Sequence, residues 1–295
     1  MLEKKLLLII NPVAGIRRAN NVLLEIVSAF CEAGYECTTQ TTTPCFNARE
    51  IVKSCGLGKD IIICIGGDGT FNEMVSGCIE MDIRPQLGYI PSGTTNDFAN
   101  SMDLSLNPKT AVNNILKNRT KELDIGLFNG RIFAYTASFG MFTKASYSTP
   151  REMKNSLGYF AYILSGAKEL KDIRSYNVKI ESKDKTVEGA YIFGGICNSK
   201  RIGGMVQLPP DIVDMNDGLL EALFIKTPQN AHEFMQLIFD LNTNNYDSTM
   251  FDFFSTEHLK ITTNDDIDWT LDGEYQKGEK EIEIKNLKSA IQLNV

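Results

Sequence analysis

Asp60 to Met74 reads DIIICIGGDGTFNEM. An unbroken apolar run, Ile61 to Ile65, passes directly into Gly66-Gly67-Asp68-Gly69-Thr70, and from Thr70 to Met81 the pattern turns helical. A strand that is apolar on both faces needs helices above and below it, so the run predicts a buried strand of a parallel sheet. Glycines at its exit tolerate positive φ and let main-chain N–H groups at a helix start approach an anion such as phosphate. A tight strand-to-helix turn without a ligand is the plainer alternative.

Outward from this junction the first third of the chain repeats the same grammar. Lys5 to Ile10 is a short apolar run followed by NPVAG (Asn11 to Gly15) and a helical pattern through Leu23, Ile26, Val27 and Phe30, closing at Gly34. Tyr35 to Thr42 reads as a second strand, and Asn47 to Cys55 as a helix with Asn47 as its cap. Gln86 to Ile90 is extended, PSGTTND (Pro91 to Asp97) ends it, and Pro108 to Asn118 is helical. Alternating strands and helices give an α/β domain over residues 1–124. Three polar, glycine-bearing loops then fall at strand carboxyl ends, where open α/β sheets bind their ligands.

From about residue 125 the pattern changes. Asn129-Gly130 marks a hairpin, YNVKIESKDKTVEGAYIFGG reads as paired strands, and HLKITT, EIEIKN and AIQLNV alternate as further strands. Helical patterns interrupt at Met153 to Lys171 and Pro228 to Leu241. Residues 125–295 are therefore expected to form a mainly antiparallel β domain.

Composition narrows the chemistry. The chain has 295 residues, 43% hydrophobic and 23% charged, with a formal net charge of -7, which argues against broad nucleic-acid binding. No leader pattern or membrane-length apolar segment is evident, and a cytoplasmic protein is expected. Seven cysteines without a C-x-x-C pair read as reduced, packed thiols. With only His232 and His258 present, zinc sites and Ser-His-Asp catalysis are disfavoured, leaving acid-base work to carboxylates. There is no G-x-x-x-x-G-K-[ST] and no G-x-G-x-x-G after the first strand, so neither a P-loop nor a dinucleotide dehydrogenase fits.

Taken together, NPVAG, GGDGTFNE, PSGTTNDFA, DIVDMNDGLLE and WTLDGE, in that order, resemble the diacylglycerol-kinase catalytic-domain family in its soluble bacterial lipid-kinase branch. The resemblance implies an α/β domain with a parallel sheet and a β-sandwich lipid-substrate domain, with ATP in the cleft and its γ-phosphoryl group passed to a lipid hydroxyl. Roughly the last ten residues are expected to return to the first domain. It implies nucleotide binding through Asn11, Pro12, Gly15, Thr42, Gly66, Gly67, Asp68, Gly69, Thr70, Asn72, Glu73, Gly93, Thr94 and Asn96. TTTPCFNA, after the second strand, lacks the glycine and the acidic or histidine position common in that family.

For catalysis the resemblance makes Asp272 the general base, with Glu274 assisting the nucleotide or its metal; turn chemistry alone reads Asp272-Gly273 as a hairpin corner. An Asp272→Ala chain is expected to lose transfer while ATP affinity and folding stay largely intact. Asp68 is placed to hold Mg²⁺ beside the phosphates, or to cap the next helix. A structural Mg²⁺ is implied at Asp214, Asp217 and the Leu219 carbonyl, against a plain solvated acidic loop that also contains Asp211. Transient docking to the inner face of a membrane is expected through cations such as Arg17, Arg18, Lys144, Arg151 and Lys154, with the apolar face of the Met153 helix either lining an acyl channel or serving as core. A homodimer is left open. The alternatives are an NAD kinase-like enzyme with a soluble substrate, and a nucleotide-binding module without catalysis.

Overall fold

The computed structural model describes residues 4–15, 22–94, 96–141, 174–199, 201–202, 206–208 and 213–295. The chain divides into two compact units, Met1–Ile125 with Lys288–Val295, and Gly126–Leu287.

The first unit is built on strands β1 (Lys4–Ile10), β2 (Tyr35–Thr41), β3 (Ile61–Gly66) and β4 (Gln86–Pro91) and helices α1 (Leu23–Glu32), α2 (Ala48–Cys55), α3 (Asp68–Glu80), α4 (Asp97–Ser101) and α5 (Pro108–Leu116). The strands run parallel in the order β2-β1-β3-β4. All six residues of β3 are buried, as a doubly covered central strand requires. Leu6, Leu8, Ile10, Ile61, Ile63 and Ile65 pack with Ile26 and Phe30 of α1 and Ala111, Val112 and Ile115 of α5. Alternation sends Leu7, Ile9, Ile62 and Cys64 to the opposite face; all four are fully buried.

Chain order places β2 on one side of β1 and β3 on the other, so the winding direction reverses between β1 and β3. Such a reversal opens a crevice beyond the carboxyl ends of those two strands. Local chemistry fixes the helices around it. Asn47 caps α2 by accepting from Glu50 N at 3.1 Å, and Asn107 caps α5 by accepting from Lys109 N and Thr110 N.

The second unit is antiparallel. It contains β6 (Arg131–Phe133), β7 (Thr136–Gly140), β8 (Tyr176–Ser182), β9 (Thr186–Cys197), the short pair β10 (Arg201–Ile202) and β11 (Val206–Gln207), β12 (Leu220–Lys226), α6 (Ala231–Thr243), β13 (Phe251–Thr256), β14 (His258–Thr263), β15 (Asp268–Leu271) and β16 (Glu274–Lys277). Within it the strands follow β16-β15-β7-β9-β8-β14, with β12 bridging β9 and β13. Trp269 is buried between the rings of Phe128, at 4.9 Å, and Phe139, at 4.8 Å. Strands β5 (Thr120–Phe128) and β17 (Glu281–Asn294) run through the division, each lending residues to both units.

Three details differ from the sequence reading. EIEIKN and AIQLNV, read as separate strands, lie in one strand, Glu281–Asn294, with an irregularity at Ser289, φ 48°, beyond which the alternation resumes. Helix α4 was not anticipated, since five polar-rich residues carry no helical period. Cys31 and Cys45 are exposed rather than packed, while Cys64, Cys78 and Cys197 are buried. The expected helix over Met153 to Lys171 and the cations Arg17, Arg18, Lys144, Arg151 and Lys154 lie outside the described residues, as does Asp211.

Candidate active site

Three turns leave the carboxyl ends of β1, β3 and β4 and meet main chain to main chain. Gly15, at φ 50°, lies so close to the Ser92 carbonyl and to Gly93 that no side chain fits. A Cβ on Gly93 would stand 2.6 Å from the Gly67 Cα, a distance that backbone cannot yield without moving a turn. Ser92 N donates to Gly66 O at 2.7 Å and Asn11 N to Ile65 O at 2.9 Å, locking the turns edge to edge. Side chains finish the joint: Asn11 Nδ2 donates to Thr70 Oγ1 at 3.0 Å, and Asn11 Oδ1 accepts from Val13 N at 3.1 Å.

Asp68 opens α3 but does not cap it. Its carboxylate accepts from Asp97 N at 2.9 Å and Phe98 N at 3.2 Å, the first turn of α4, and from the Tyr89 hydroxyl at 3.3 Å. Burial pushes its carboxyl above the usual aspartate range, against the downward pull of the same donors. Asn96 is equally committed to the scaffold. In the left-handed region at φ 51°, it accepts from Gly93 N at 2.9 Å and donates to Gly93 O at 3.0 Å. Glu73 reaches away to α2, accepting from Ala48 N at 3.1 Å, and Asn72 accepts from Ser76 Oγ. Thr42 N donates to Ile10 O, extending the ladder beside Asn11. Pro12 and Thr94 are exposed, and Gly67 and Gly69 half-buried.

The first N–H groups of any helix have no partner within it, and aligned peptide dipoles make that end electropositive. Here the start of α3 and the glycine turns of β1 and β4 share one locus, with very little side chain in the way. The arrangement suits a phosphate chain.

In the second unit, Asp272 and Gly273 form the two-residue corner between β15 and β16, at φ 49° and 87°. Both positive values mark the hairpin turn that turn chemistry predicted. The Asp272 side chain nevertheless turns inward, only 7% exposed, and accepts from Ala134 N at 2.6 Å, Tyr135 N at 3.0 Å and Thr136 N at 2.9 Å. Tyr135 O in turn accepts from Asn198 N and Ser199 Oγ. Glu274, two residues on, is exposed and paired with Arg131 at 2.7 Å, whose other terminal nitrogen donates to Gln276 Oε1. Thus Asp272 and Glu274 share a hairpin but serve different partners.

Asp214 and Asp217 are exposed in one turn, where Asp214 Oδ1 accepts from Asn216 N and Asp217 Oδ1 from Leu219 N. Among the described residues no group of three or more His, Cys, Asp or Glu side chains is placed to hold a metal. Each of the two carboxylates is thus tied to the main chain of its own turn. Sequence reasoning missed Tyr89, Arg131 and the main chain of 134–136 and 97–98. Only Tyr89 carried a local signal, as a polar-tipped ring in an otherwise apolar strand.

Comparison with known proteins places the chain. Residues 5–128 match the model of the diacylglycerol kinase catalytic domain. The diacylglycerol kinase of Bacillus subtilis (strain 168) is 31% identical over 274 residues, covering 92% of this chain and 90% of that protein. The chain belongs to the diacylglycerol kinase family. This kinase is thus an enzyme of the phosphotransferase class, in a family of lipid kinases. The diacylglycerol kinase of Staphylococcus aureus (strain MRSA252) is 29% identical over 279 residues, covering 93% of the kinase described here and 87% of that protein. A crystal structure of a diacylglycerol kinase from Bacillus anthracis superposes with TM-score 0.77 at 23% identity, covering 99% of this kinase and 96% of that chain. That likeness carries the fold. No helix among the described residues is long and apolar enough to cross a membrane.

Proposed function

We propose that this kinase transfers the γ-phosphoryl group of ATP to the free hydroxyl of diacylglycerol, giving phosphatidic acid and ADP. The observation that carries the nucleotide half is the contact of Gly15, Gly67 and Gly93 at the start of α3. Main-chain N–H groups there receive the triphosphate, with Asn11, Pro12, Thr42, Gly66, Gly69, Thr70 and Thr94 around it, while Asn72, Glu73 and Asn96 hold the surrounding elements in place. The lipid half rests on the names and coverage of the relatives.

Asp272 takes the proton of the acceptor hydroxyl as its oxygen attacks the γ-phosphorus and the bond to the leaving ADP oxygen breaks. Three N–H donors hold the carboxylate in one orientation, so no ordering is needed at the moment of transfer. Glu274 assists the nucleotide, steadied by Arg131. Mg²⁺, when bound with the nucleotide, neutralises phosphate oxygens. Both Asp68 oxygens already accept protein hydrogens, which favours Asp68 acting on that ion through water. Asp214, Asp217 and the Leu219 carbonyl would hold a second, structural Mg²⁺, whose charge would steady the turn they share. The enzyme works in the cytoplasm, docking reversibly on the membrane that holds its acceptor.

Labelled ATP offered with vesicles containing diacylglycerol, phosphatidylglycerol or a sphingoid base, and separately with NAD, tests the reading. Label is expected in phosphatidic acid and its appearance to stop on chelation of Mg²⁺. Label in NAD with none in any lipid overturns the proposal.

A further inference from the structure

Outside the candidate site the chain carries a pair of thiols in contact. Helix α1 ends at Glu32, the chain reverses through Ala33 and Gly34, the latter at φ 89°, and β2 starts at Tyr35. That reversal brings Cys31 Sγ to 3.7 Å from Cys37 Sγ. Gly34 N donates to Cys31 O at 3.0 Å, so the corner itself holds the pair together. Cys31 is exposed and Cys37 half-buried against the sheet core. Burial pushes the Cys37 thiol up to about 12, with the Cys31 thiol beside it adding to the shift, so Cys37 is a poor first nucleophile and Cys31 the accessible one.

We infer that Cys31 and Cys37 form an oxidation site that closes to an intramolecular disulfide when the chain meets a peroxide. The Cys31 sulfur attacks a peroxide oxygen: the S–O bond forms, the O–O bond breaks, and the leaving hydroxide departs as water with the thiol proton. Cys37 sulfur then attacks the sulfenic sulfur of Cys31. The S–S bond forms, the S–O bond breaks, and hydroxyl leaves as water with the Cys37 proton. Two thiols and one hydrogen peroxide thus give one disulfide and two waters. A disulfide needs the sulfurs about 2 Å apart, and the exposed Cys31 side chain has the rotational freedom to close that gap.

The pair pins α1 to the amino half of β2, where Cys37 is paired with Leu6. Thr42 follows five residues later, a separation of roughly 16 Å along a parallel strand. Oxidation is therefore expected to leave phosphoryl transfer unchanged, and the test is independent of the proposed substrate.

The reduced chain, treated with one equivalent of hydrogen peroxide, should lose the mass of one hydrogen molecule and regain it with dithiothreitol. A glutamate-specific protease cuts after Glu32 and Glu36, between the two cysteines, and under non-reducing conditions should release their fragments joined. Cys45 shares the Cys37 fragment, so the link must persist in Cys45→Ser and vanish in both Cys31→Ser and Cys37→Ser. Oxygen addition without a link, a link through Cys45, or a disulfide between chains would each overturn the inference.

Discussion

At the scale of single residues, two aspartates do more structural work than a sequence shows. Asp272 satisfies three main-chain donors, 136 to 138 residues away in sequence, and a buried donor left without its acceptor costs about 1–3 kcal/mol. Asp272→Ala is therefore expected to lose on the order of 3 kcal/mol or more of stability as well as its turnover. That is a larger loss than the largely intact folding expected from the sequence, and denaturant melts run beside the kinase assay check it. An Asp272→Ala chain with full stability would mean that the three contacts contribute nothing. Asp68 predicts a pH signature. Its folded carboxyl holds its proton more tightly than an unfolded one, so its ionisation removes stability as pH rises from the usual aspartate range through the folded value. Asp68→Asn should lack that loss, giving a flatter stability profile over this window, while Mg²⁺-dependent turnover falls. The carboxylates themselves stood out in the sequence; their partners did not, because main-chain donors leave no mark on residue identity.

Elements were legible wherever one period dominated. Ile61 to Ile65 could only be a doubly covered strand, and Asn47 announced the start of α2. Removing that cap by Asn47→Ala should cost about 1 kcal/mol, read as a lower midpoint in urea. Helix α4 stayed hidden because its start is held by Asp68 from another element rather than by its own sequence. The turns after β3 and β4 make a sharper prediction. In Gly93→Ala the new methyl meets Gly67 Cα and Asn96 Oδ1, forcing the turns apart; a shift of about 1 Å at such a site can cost on the order of 10²-fold in rate. Steady-state kinetics should show kcat/KM for ATP falling by that order, and the melting temperature should fall with it, because overpacking a tight joint costs about 1–3 kcal/mol.

For the chain as a whole, part of the first unit comes from the far end of the sequence. Residues Lys288–Val295 belong with Met1–Ile125. Gln292 and Leu293 pair in parallel with Gln86 and Leu87 of β4, Asn294 Nδ2 donates to Leu87 O, and Val295 N donates to Arg119 O. Ile291 and Leu293 are buried, each contributing about 1.5–3 kcal/mol. Deleting 288–295 should therefore destabilise the first unit by about 3–6 kcal/mol, seen as faster amide exchange in β4 with β8 and β9 unchanged. During synthesis the same closure has a cost in time. While a ribosome is still translating residue 280, β4 presents an unpaired, apolar edge to other nascent chains nearby, so the first unit is most open to mispairing in the interval before β17 is made.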